Sequence, residues 1–157
     1  MSRLQVHAGV LAPALLIVFS VAAAPRAEAG LGGDVASVAH DHAAIGSTHT
    51  LTSTAHYDRY DGMTADGAKL SEFVDRSGKV FAVNWSGPRS ADLKSLLGPT
   101  YSARLTAAAR AHPGNHHVLT INDPDLVVSL VRLQRGWLGS AHLPGAIPAG
   151  VTLGELH

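Results

Sequence analysis

Apolar and polar positions follow three kinds of pattern along the chain, and each predicts a different element. From Lys79 to Trp85 side chains fall on alternate sides of an extended strand, with Phe81, Val83 and Trp85 on one side and Val80, Ala82 and Asn84 on the other. Two earlier runs, Tyr57 to Gly62 and Ala68 to Val74, also read as strands. The turns between them come from Asp66-Gly67 and from Asp75-Arg76-Ser77-Gly78, where Gly78 is free to take a positive φ. The three runs predict an antiparallel meander. Gly87-Pro88 closes it, because proline has no amide hydrogen for a strand ladder.

The spacing then becomes helical. Leu93, Leu96 and Leu97 predict a short helix capped by Ser90, with Asp92 in its first turn and Gly98-Pro99 at its end. A second helix is predicted from Thr100 to Ala111, apolar at Tyr101, Leu105, Ala108 and Ala109. Beyond His112-Pro113-Gly114-Asn115, two β-rich runs return: His117 to Ile121 and Leu126 to Leu133, separated by Asn122-Asp123-Pro124-Asp125. The second is almost continuously apolar, which predicts a place in the middle of the sheet. From Leu143 to Val151, Pro144, Gly145, Pro148 and Gly150 predict an extended strap over the surface. The fold expected is α+β in a single domain: an antiparallel sheet, made of a three-strand meander plus C-terminal strands, packed against one or two short helices.

The N-terminal third has a third pattern. Arg3 precedes an apolar run from Val10 to Ala24, and Ala27-Glu28-Ala29 before Gly30 is a small-x-small cleavage site, so residues 1–29 are predicted to be an export signal peptide. The run is shorter than the roughly 20 apolar residues a membrane span needs, and no transmembrane segment is expected in the mature chain. From Asp34 to Thr54 the residues are mostly small or polar, which predicts for residues 30–55 a low-order arm or one edge strand near Thr48 to Ala55. Residues 56–157 form the expected domain.

Composition narrows the function classes. With no cysteine, disulfide scaffolds, thiolate metal sites and acylated lipoproteins are excluded. Beyond the predicted cleavage site, ten Lys and Arg face eleven Asp and Glu, and no basic face for nucleic acid emerges.

The central residues carry a resemblance. Leu31-Gly32-Gly33, Glu72-Phe73-Val74-Asp75, Gly78, Val80-Phe81-Ala82-Val83, Trp85-Ser86-Gly87-Pro88, Asp92-Leu93 and Leu97-Gly98, with Pro148-Ala149-Gly150-Val151 near the end, resemble small exported bacterial proteins grouped as domain of unknown function 2844. The resemblance implies a signal peptide and a compact exported domain, and it brings no activity or catalytic residue. It marks Phe81, Val83, Trp85, Gly87, Pro88, Leu93, Leu97 and Gly98 as a structural signature. Two features depart from the family pattern: Pro99-Thr100 stand before Tyr101, and histidine-rich stretches interrupt the chain.

Candidate chemistry is sparse. His40 and His42 would point the same way on an extended strand and, with His112, His116 and His117, could hold a borderline metal through imidazole nitrogens. A structural site needs ligands on rigid supports, so the preferred reading is solvated loop histidines and no cofactor. Trp85, Tyr57, Tyr60 and Tyr101 could make a stacking platform, but aromatics on a strand face opposite a helix are more often core. Ser86 lacks the first glycine of an esterase elbow, and Asp123 and Asp125 sit in a turn. Gly30-Leu31-Gly32-Gly33 is no phosphate loop and suits processing or a flexible start. The expected function is a non-enzymatic binding or structural accessory of the cell envelope, periplasmic or secreted. The alternatives are a histidine-dependent metal-binding protein and, further back, a small hydrolase.

Overall fold

The structure is a computed structural model and describes residues 30–89, 91–112, 114 and 117–156. The predicted leader, including Ala27 and Ala29, lies outside the described residues, as do Ser90 and His116. The chain runs α1 (Val35–Ala44), β1 (His49–Ser53), β2 (Tyr57–Met63), β3 (Lys69–Asp75), β4 (Val80–Gly87), α2 (Leu93–Ala111), β5 (Val118–Asn122), β6 (Val127–Leu133) and β7 (Gly136–His142), followed by two short 3-10 turns. All neighbouring strands pair antiparallel in one seven-stranded sheet of order β1-β2-β3-β4-β7-β6-β5. The architecture is α+β, as the pattern of the chain predicts.

The first four strands extend the predicted meander by one, with β1 at the edge. The C-terminal strands form a second meander, laid down so that β7, the last made, docks on β4. β6 therefore lies next to the outer strand β5 instead of at the sheet's centre. β7 has no counterpart in the sequence reading, because its glycines and serine break the apolar run that marks a strand.

Segment 30–55 holds an edge strand where one is expected, β1 near Thr48 to Ala55, and before it a helix in place of a low-order arm. The Asp34 side chain caps α1 by accepting from the amides of Ala36 and Ser37, and Val38, Asp41 and His42 turn inward at helical spacing. The chain before it is not a flexible start either. Leu31 N–H donates to Leu96 O at 2.9 Å, Gly32 N–H to Val80 O at 2.8 Å, and Val80 N–H back to Gly33 O at 3.0 Å. Both Gly30 and Leu31 are buried.

α2 is bent at Gly98 (φ 70°), where the two predicted helices meet, and Pro99 starts the second segment. Its cap is Asp92, whose carboxylate accepts from the Lys94 and Ser95 amides. Both helices lie on one face of the sheet and enclose the main core, which includes Leu70, Val83, Trp85, Leu97, Leu105 and Val128. A register shift between Phe73 and Val74 sends Phe81 to the opposite face, away from Val83 and Trp85. There it joins Tyr57, Phe73, Ala82 and Leu156 in a smaller core, covered by Ala146, Ile147 and Val151 of the C-terminal strap. The bulge inserts one residue, and one residue is enough to reverse the facing of a strand.

Candidate functional site

Two places on this sheet carry organised polar chemistry. On the helix-covered face, the inward row Tyr60–Glu72–Val83–Ala141–Val128–Ile121 runs across six strands and holds a single acid. Glu72 is fully buried, and α1 brings Asp41 and His42 against it, each 1 % exposed. His42 Nε2 is 3.4 Å from Glu72 Oε2, and its Nδ1 pairs with Ser47 Oγ at 3.1 Å. The His42 ring packs on His49 with centroids 5.0 Å apart, and His49 packs edge-on against Tyr60. The pocket for this imidazole exists because Gly62 has no side chain: a Cβ there would stand 2.2 Å from His42 Nδ1.

The cluster holds more acid than base. Burial raises the Glu72 pKa to about 8, helped by the charge of Asp41 and a hydrogen bond with it. Burial likewise raises Asp41 to about 6, against the lowering effects of the Gly30 amide, His40 and Glu72. Burial lowers His42 to about 4, with His49 adding to the effect, so the imidazole is neutral at pH 7. Asp41 and Glu72 thus behave as two carboxyls sharing one proton. Without that proton, none of the four oxygens accepts a well-formed hydrogen bond among the described residues.

On the other face, the next rows of the same ladder line up differently. Thr50, Asp61, Ser71, Asn84, Ser140, Ser129 and Thr120 are direct neighbours in register, one from each strand of the sheet. None of the seven is buried. Arg59 Nε donates to Asp61 Oδ1 at 2.8 Å, and Ser71 Oγ donates to the same oxygen at 2.5 Å. Asn84 Nδ2 donates to the carbonyl of Leu156, where the strap ends. Beyond the strap, Ser71, Asn84, Ser86, Ser129 and Ser140, with Lys69, Val131 and Leu138, line an open cleft of about 510 Å³.

Other sequence candidates are dispersed. His40 and His42 stand on a helix, where residues two apart diverge: His40 is exposed and His42 buried. That corrects the expectation of a parallel pair on a strand. His112 ends α2 with Nδ1 3.1 Å from Ala108 O, and His117 is exposed before β5. Among the described residues, no group of three His, Cys, Asp or Glu side chains is placed to hold a metal ion. Trp85 and Tyr57 are buried in different cores, and Tyr60 and Tyr101 pack against the main one, so the four aromatics form no common platform. Ser86 lies in the open cleft, and Asp123 and Asp125 are both bound by Arg104.

The buried acids escaped the sequence reading, although a signal was present. Glu72 shares strand parity with Leu70 and Val74, which makes it an acid at an inward position. The spacing of Val38, Asp41, His42 and Ile45 is that of one helix face.

Fold and sites together define a one-domain α+β protein whose single sheet is covered by helices on one face and left partly open on the other. A family model described as "Protein of unknown function (DUF2844)" matches residues 27–156, and the chain belongs to that family. No curated protein and no solved structure matches it.

Proposed function

We propose that the protein is an exported, non-enzymatic accessory of the cell envelope that docks its open sheet face onto a hydroxyl-rich polymer such as an envelope glycan. The observation that carries this reading is the row of small polar side chains across all seven strands. Neighbouring strands are about 4.8 Å apart, so the row repeats donors and acceptors at even steps, which suits a polymer lying across the strands. Lys69 and Arg59 border the row, and Val131 and Leu138 offer aliphatic surface beside it. Hydroxyl and amide groups exchange water for ligand hydroxyls at little net cost, whereas the large apolar surfaces of the molecule are turned into the two cores. The small-x-small site before Gly30 supports export. Cosedimentation of the processed protein with purified peptidoglycan sacculi tests the reading. Retention by sacculi is expected, and loss of retention in Ser129→Arg/Ser140→Arg, which blocks the row. A protein that stays in the supernatant, or a variant that sediments like the parent, overturns it.

A further inference from the structure

The excess acid on the helix-covered face has a natural partner in the chain's own processed end. We propose that cleavage between Ala29 and Gly30 creates an α-ammonium group that seats against Asp41 and Glu72 and locks the N-terminal segment into the domain. This rests on the export reading above.

Three independent observations meet at this point. First, Asp41 and Glu72 are buried with no well-formed hydrogen bond to their side-chain oxygens among the described residues, and a buried acid pair of this kind calls for a cation. Second, Gly30 is itself buried, and its backbone N–H already acts on the Asp41 carboxyl. The residues after it are fixed by main-chain bonds to Leu96 and Val80, which hold the start of the segment in place beside Asp41. Third, Gly30 stands where no other residue fits: a Cβ would lie 2.2 Å from Leu96 O and 2.5 Å from Ser95 O. The same glycine follows the small-x-small site, so the predicted cut falls at the nitrogen that reaches the acids.

Charge balances in the product. Asp41 and Glu72 share one proton and carry one negative charge between them, and the ammonium supplies one positive charge. The surrounding titratable groups do not provide it. α1 adds exposed His40 and buried neutral His42, β1 adds His49, β2 adds Tyr60 and Asp61, β4 places Val83 beside Glu72, and α2 contributes carbonyls. With an amide nitrogen in place of the ammonium, both carboxyls keep raised pKa values. The stability linked to their protons is then present near pH 4 and lost as pH rises through about 8. The ammonium favours the ionised carboxylates and relieves that loss.

The test expresses the full chain in a secreting host and compares its processed product with that of a chain carrying one alanine inserted between Ala29 and Gly30, which displaces the ammonium by about 3.8 Å. Mass spectrometry is expected to find Gly30 as the parent's N-terminus. Thermal melts are expected to coincide near pH 4 and to separate toward pH 8, where the parent melts higher by roughly 5 °C. Glu72→Gln, which needs no counter-charge, is expected to recover most of the loss in the inserted chain. A terminus other than Gly30 overturns both the processing site and the lock. A Gly30 terminus with superimposed melts at every pH overturns the lock and leaves export standing.

Discussion

The two faces of the sheet are built from the same strands and the same ladder, yet they treat polar side chains in opposite ways. Under the helices, the one acid in the inward row is sealed from water and must be satisfied by protein groups: Asp41, His42 and, by the inference above, the Gly30 ammonium. On the open face, Ser71, Asn84, Ser140 and Ser129 remain accessible to water and to any ligand that replaces it. Burial makes polar groups demanding partners in folding, and exposure makes them available for binding. The difference leaves the polar row free for the recognition proposed above, while the covered face and the smaller core under the strap hold the domain together.

Substitutions that probe this contrast should differ widely in cost. Trp85→Ala empties the centre of the covered face and is expected to destabilise by about 3–5 kcal/mol in denaturant unfolding. A value near zero would mean that the helices do not seal that face. Gly62→Ala and Gly139→Ala each push a methyl group to 2.2 Å from a buried ring, His42 in one case and Trp85 in the other, and should cost about 1–3 kcal/mol. If Gly62→Ala is neutral, His42 is not fixed in its pocket. Asn84→Ala breaks the bond that ties the strap to the open face and is expected to cost about 1 kcal/mol, with faster proteolysis of the C-terminal segment. Ser129→Val and Ser140→Val should stay within about 0.5 kcal/mol of the parent while abolishing the proposed retention by sacculi. A large loss of stability there would place those hydroxyls in the fold and remove them from the binding surface.

The sequence made the strands and turns of the centre legible because local signals agree there. The strand from Val80 to Gly87, Gly78 with a φ of 84° and the break at Gly98 are each decided by neighbours a few residues away. What long-range pairing decides was less visible. The side on which Phe81 faces depends on a bulge opposite Phe73 and Val74, and the position of β6 depends on β7 returning to β4. α1 was hidden because its buried face contains Asp41 and His42 where apolar residues would have declared a helix. The polar row was hidden for another reason: its members are common surface residues, and only the strand register places one from each strand in line.

The most direct test of the open face as the recognition surface is amide and side-chain NMR of the processed protein titrated with soluble peptidoglycan fragments. The largest shifts should fall on Ser71, Asn84, Ser129 and Ser140, with the His42 and Glu72 environment unchanged. Shifts confined to the helices or to the histidines at 112 and 117, with the row silent, would contradict it.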